Sequence, residues 1–156
     1  MTAIDETDQR ILTMLEMQIE HLSGKEAIEL GRATLAPLAQ ATGLSVSAAQ
    51  SRVQKLEKRG IIKGYKAIID QEQRGLPISA FVNVTPLDYS AESSIPDKLN
   101  NIDGIVSCYS VAGAPSFVLV VRVASPTALE ELLNLIHRTV PVSTETTMIL
   151  QTYFAH

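Results

Sequence analysis

The chain has 156 residues, 46 % of them hydrophobic, which is enough to bury real cores in one medium domain or two small ones and excludes disorder as the default. The longest apolar run, Phe117 to Val121, is too short to cross a bilayer. The single cysteine excludes an internal disulfide, and Met1 to Arg10 lacks the regions of a secretory signal, so a cytoplasmic protein with no membrane partner is expected.

Taken in chain order, the N-terminal half has helical periodicity. Asp5 can cap a first helix with apolar positions Ile11, Leu12, Leu15, Ile19 and Leu22, which Ser23 and Gly24 interrupt. A second helical stretch through Ala27, Ile28 and Leu30 ends at Gly31. Thr34 caps a third, with Pro37 in its first turn, and Gly43 stops it. Leu44 is placed to plug a small core, and Ser45 caps a further helix running to Gly60, so the order is helix, tight turn, helix. Two short β-like runs follow, Ile61 to Ile62 and Tyr65 to Ile69, with the character of a wing. Residues 1–66 therefore form one expected domain, a winged helix-turn-helix, and 67–77 a linker.

Residues 78–156 carry the order strand, helix, strand, strand, helix, strand. Ile78 to Thr85 alternates apolar and polar, and a helix lies within Tyr89 to Ile102 with Ile95, Leu99 and Ile102 inward; Pro96 must either kink it or fall in its first turn. Ile105 to Val111 and Ser116 to Val123 are strands joined by a turn at Gly113-Ala114-Pro115, and Cys108 is expected as a small buried thiol sharing a face with Val106 and Ser110. Ser125 and Pro126 open a helix whose stripe is Leu129, Leu132, Leu133 and Ile136, and Ser143 to Phe154 is a closing strand. This βαββαβ order is the ferredoxin-like arrangement, and the fold class as a whole is α+β. A sheet covered on one side needs a partner on the other, so a homodimer is expected.

The formal net charge of −4 speaks against nucleic acid only until its distribution is followed. Residues 50 to 66 hold six basic side chains against one acidic, a local net of +5, whereas residues 71 to 156 hold four basic against eight acidic. On a helical wheel at about 100° per residue, Val46, Ala49, Val53 and Leu56 share one arc that faces a core. Ser47, Ala48, Ser51, Gln54, Lys55 and Lys58 fall opposite, with Arg52 and Arg59 flanking. Small hydroxyl residues near the helix N-terminus, Ser45 included, let it approach base edges of double-stranded DNA, while the lysines and arginines, Lys63 included, meet phosphates on the groove walls. The alternative is an ordinary solvated surface on a metabolite-sensing protein-interaction module that does not bind DNA.

The run Leu44 to Glu57 (LSVSAAQSRVQKLE) followed by Gly60 to Tyr65 (GIIKGY) closely resembles the reading helix and wing of the Lrp/AsnC, or feast/famine, regulators. Ile4 to Leu12 and Gly31 to Thr34 resemble that family's first helix and the start of its second, and the βαββαβ order is that of its regulatory domain. The resemblance implies a transcription regulator whose dimers assemble further, to an octamer, and whose small-molecule effector, a free amino acid, sits near the hairpin turn between dimers. Two departures stand out: an insertion of roughly ten residues near 17–30, where core-like spacing indicates packing or partner contact rather than chemistry, and Ser116, where many members carry an aspartate suited to an ammonium group.

A free amino acid needs donors for its carboxylate, acceptors for its ammonium and an apolar pocket. The groups on offer are Val111, Ala112, Gly113, Ala114, Pro115 and Ser116 at the turn and Thr144, Thr146 and Thr147 on the last strand. It is the resemblance that makes them a site, since by themselves Gly113-Ala114-Pro115 closes a hairpin and the threonines favour a strand. No covalent cofactor is expected. His21, His137 and His156 lie in unrelated segments without metal-site or triad spacing, so neither a metal site nor an enzyme is expected.

Overall fold

The computed structural model describes residues 4–17, 35–65 and 68–153. The expected positions Ile19 and Leu22, the helical stretch through Leu30, the insertion, the Thr34 cap and Phe154 lie outside them. The chain falls into two compact units that divide between Ala67 and Ile68.

In the first unit, α1 (Glu6–Met17), α2 (Leu35–Thr42) and α3 (Val46–Lys58) close on Ile11, Leu38, Val53 and Leu56. Asp5 caps α1 as its spacing predicts, its Oδ1 accepting from the Asp8 N–H at 2.8 Å. Both α2 and α3 end in the same device. The Leu44 N–H donates to Ala39 O and the Gly43 N–H to Gln40 O, while Ile61 donates to Leu56 O and Gly60 to Glu57 O. Each glycine takes the left-handed conformation that lets the chain reverse, φ +70° at Gly43 and +69° at Gly60. The residue after each glycine, Leu44 or Ile61, turns back onto the core.

Among the described residues between 61 and 77 none belongs to a strand, so the expected pair of wing strands is not seen there. The Ile61 and Ile62 N–H groups both donate to Leu56 O, at 3.0 and 3.3 Å, so they complete the end of α3 and are not available to a ladder. Tyr65 instead returns to α3 through its hydroxyl, which donates to Glu57 Oε1 at 2.9 Å. The expected linker contains a turn held by Asp70, whose carboxylate accepts from the Glu72 and Gln73 backbone.

The second unit is a four-stranded antiparallel sheet in the order β2-β3-β1-β4, from β1 (Ile78–Pro86), β2 (Ile105–Ser110), β3 (Phe117–Val123) and β4 (Val142–Ile149). Pro96 falls in the first turn of a short α4 (Ile95–Leu99), preceded by a 3₁₀ segment (Tyr89–Ser94). α5 (Pro126–Thr139) is capped by Ser125, whose Oγ accepts from the Ala128 N–H at 3.1 Å. Ala80, Val82 and Val84 of β1 and Leu119 and Val121 of β3 are sealed under Ile95, Leu99, Leu129, Leu132 and Ile136. Fully burying one such aliphatic side chain contributes about 1.5–3 kcal/mol.

Three strand expectations need correcting. β4 ends at Ile149, whose pairing with Ser79 is the last it makes with β1, and Leu150 beyond is 93 % exposed. The connection between β2 and β3 is longer than a tight turn, spanning 111–116. The β2 register shifts between Ile105 and Ser107, so Val106 bulges outward and Cys108 shares the core face with Ile105.

Candidate functional site

The face that α3 presents follows from what its other face buries. Ala49, Val53 and Leu56 are sealed against the core, and Ser45 fixes the start of the helix, its extended backbone and its Oγ accepting from the Ala48 N–H at 3.2 Å. Val46 lies on the buried arc but is 48 % exposed, because as the first helical residue it overhangs the core. Ser47, Ser51, Gln54, Lys55, Lys58 and Arg59 are exposed along the opposite side, Ala48 is half-buried at its margin, and Lys63 is exposed beyond the helix. The Ser45 and Ser47 hydroxyl oxygens stand 3.2 Å apart, so one polar pair marks the N-terminal end of this face and lysines mark its C-terminal end. Hydroxyls at a helix's N-terminal end and ammonium groups further along are chemically suited to base edges and phosphates respectively.

Arg52 differs from these residues. Its Nη1 donates to Asp5 Oδ2 at 2.7 Å and to Asp8 Oδ1 at 2.8 Å, joining α3 to the first turn of α1. The Arg52 hydrogen bond, followed by the Asp8 backbone N–H, holds the Asp5 carboxyl below the usual aspartate range. A second tie runs from Arg10 Nη2 to Ala41 O at 3.2 Å, so α1 grips both later helices. The sequence pattern places Arg52 at the edge of the exposed arc but carries no sign of its partners.

In the second unit, the 111–116 connection is fastened at both ends. The Val111 N–H donates to Ser116 O at 3.1 Å and the Ser116 N–H to Val84 O at 3.0 Å. Between them Ala112, Gly113 and Ala114 are exposed, and Pro115 is half-buried. Thr144 pairs with Val84 and so lies level with this connection, but its Oγ1 is 2.9 Å from His137 Nε2 of α5. Thr146 pairs with Val82, one step further along the same face, and Thr147 pairs with Phe81 and points to the other side of the sheet. Thr144 and Thr146 therefore share the helix-facing side of the sheet, with β1 between them and the strand that follows the 111–116 connection, and Thr147 lies on the opposite side. Nothing in the spacing of His137 in the sequence links it to β4. A shallow cleft of about 380 Å³ lies elsewhere, lined by Pro96, Leu99, Asn100, Ser107 and Cys108 among others, and none of the expected effector residues lines it.

These two regions correspond to two family models. The AsnC-type helix-turn-helix domain matches residues 4–57, and the Lrp/AsnC ligand binding domain matches residues 79–156. The chain belongs to the Lrp/AsnC family. Among curated Lrp/AsnC relatives, the HTH-type transcriptional regulator LrpA of Mycobacterium tuberculosis is 50 % identical over 137 residues, covering 88 % of this chain and 91 % of LrpA. A feast or famine regulatory protein from M. tuberculosis, solved in complex with L-methionine, superposes with a TM-score of 0.84 at 46 % identity, over 98 % of this chain and 96 % of that one. AsnC of E. coli does so with a TM-score of 0.81 at 27 % identity, over 99 % and 97 %. As an Lrp/AsnC protein, the chain is a DNA-binding transcriptional regulator that responds to a ligand. No helix among its described residues is long and apolar enough to cross a membrane.

Proposed function

We propose that α3 enters the major groove with Ser47 and Ser51 toward base edges and Lys55 and Lys58 toward phosphates, and that a free amino acid bound near residues 111–116 alters operator affinity by changing the assembly of dimers. The observation that carries the DNA half is the exposed arc on α3, set opposite the sealed Ala49, Val53 and Leu56. Two such helices in a homodimer meet successive major grooves, which calls for a pseudo-palindromic operator. The sheet face away from the helices supports pairing: Phe81 and Tyr109 are 44 % and 56 % exposed there, beside Val118 and Val120. Further assembly to an octamer is the working expectation, in a cytoplasmic regulator with no catalytic role.

For the effector, Gly113 is the supporting feature. Its backbone is not in the left-handed region, and an added Cβ would meet nothing closer than Pro115 Cδ at 3.9 Å, so neither conformation nor packing calls for glycine. Close approach of a ligand or a second subunit gives it a reason. Methionine leads the ligand search because a similar protein binds it.

The test is a gel shift against selected operator DNA over a range of salt, with and without each of the twenty amino acids, beside a thermal-shift screen of the same ligands. Selective binding weakened by Ser51→Glu, with a salt slope reduced by about 0.9 in Lys55→Gln, is the expected result. Absence of binding at low salt would favour the protein-interaction reading. Equal operator affinity with every amino acid would remove the effector half.

A further inference from the structure

We infer that Arg52 is a positioning residue for the reading helix and not one of its phosphate contacts. The inference rests on α3 being the DNA-reading helix and divides the basic side chains of that helix into two kinds.

Three observations carry it. First, one guanidinium nitrogen is shared between two carboxylates, at 2.7 and 2.8 Å, so the positive charge is already outnumbered where it stands. A phosphate approaching Arg52 would also approach Asp5 and Asp8, and the cluster as a whole carries one net negative charge. Second, the side chain is only 31 % exposed and Asp8 only 14 %, whereas Lys55 and Lys58 lie on the open arc. Third, the acids are themselves placed by α1. Asp5 uses one oxygen to cap that helix and the other to hold Arg52, so the start of α1 and the middle of α3 are fixed by a single side chain. With Arg10 held at Ala41 O, α1 acts as a strut that sets how α3 is rotated about its axis. Rotation decides which side chains meet base edges, so the consequence of losing Arg52 falls on sequence selectivity. A phosphate contact would instead weaken binding to all sequences and lower the salt slope.

The experiment compares Arg52→Gln, Asp8→Asn, their combination and Lys55→Gln in the full-length protein, measuring operator and random-sequence affinity across salt. Arg52→Gln is expected to leave the salt slope unchanged and to reduce the ratio of operator to random-sequence affinity about ten-fold, the scale of one lost base contact. Asp8→Asn is the sharper arm. Removing an acid near DNA should tighten binding if only charge matters, whereas loss of the strut should lower selectivity as Arg52→Gln does. The combined variant should be no worse than either single one, because both break the same contact. Arg52→Lys, which keeps a cation between the acids, should restore selectivity. A slope lowered by about 0.9 in Arg52→Gln, or tighter operator binding by Asp8→Asn, overturns the inference. If Arg52→Gln fails to fold, the Asp8→Asn arm still decides. An unchanged slope in Lys55→Gln, or no selective binding by the unaltered protein, would strike the DNA reading itself.

Discussion

Replacing Gly43 by alanine puts the helix-turn-helix under a calculable load. At φ +70° the backbone is left-handed, and a Cβ built there meets nothing within 4 Å, so the whole cost is conformational. Left-handed backbone costs an L-residue about 1–2 kcal/mol, and reduced freedom of the unfolded chain returns about 0.4–1 kcal/mol. The net loss is about 1 kcal/mol, or about 4–8 °C in the melting temperature of a unit this small. Gly43→Asn should recover much of it, since asparagine tolerates the left-handed region. Gly104→Ala provides the contrast. There φ is +93°, and the new Cβ would lie 3.2 Å from Leu132 Cδ2 and 3.4 Å from Arg122 O, adding about 1–3 kcal/mol of overpacking in the second unit. Thermal unfolding followed by circular dichroism, with operator binding as a probe of the first unit, distinguishes the two. A Gly43→Ala protein as stable as the unaltered one, or a Gly104→Ala protein no worse than Gly43→Ala, would refute this reasoning.

Further outcomes follow from the same contacts. Asp5 has a lowered carboxyl pKa in the folded state, so its contribution is complete above its ordinary value of 3.8 and is lost as pH falls through the lower folded value. The melting difference between the protein and Asp5→Asn should therefore be constant from about pH 5 to 8 and shrink only in stronger acid; a difference that varies across the neutral range would contradict the assignment. Gly113→Ala should leave stability unchanged or raise it by up to about 1 kcal/mol, while altering the amino-acid response in the gel shift; marked destabilisation would show that the glycine is structural. Burial pushes the Cys108 thiol above its usual range, so it should react with a thiol reagent at pH 8 more slowly than a free cysteine peptide. Equal rates would place it on the surface.

Much of this fold is legible locally. The Asp5, Ser45 and Ser125 caps, the Gly43 and Gly60 stops and the Leu129, Leu132 and Ile136 stripe depend on neighbours within a turn or two, and each is found where its spacing puts it. What escaped depends on distant or competing partners. Ile61 and Ile62 have the residue types of a strand, but Leu56 O takes their N–H groups first. Arg52 meets Asp5 and Asp8 across more than forty residues of chain, a pairing no local period encodes. The two faces of α3 follow the helical wheel except at Val46, an apolar position left exposed where the helix outruns its core, and at Ala48, half-buried at the margin of the polar face. Thr147 shares its residue type with Thr144, but β-strand alternation turns it to the other side.

The outward bulge at Val106 has a lasting effect on its strand. One surplus residue at the start of β2 inverts the inside and outside of everything after it, bringing Cys108 beneath the helices and directing Tyr109 to the uncovered side. Excising Val106 would leave Ile105 and Ser107 in unbroken alternation opposite Val121 and Val120, with Cys108 still inward and Tyr109 still outward. Pairing Val106 itself with Val120 would instead exchange the two roles, driving a phenol into a space shaped for a thiol and stripping an aromatic ring from the uncovered face.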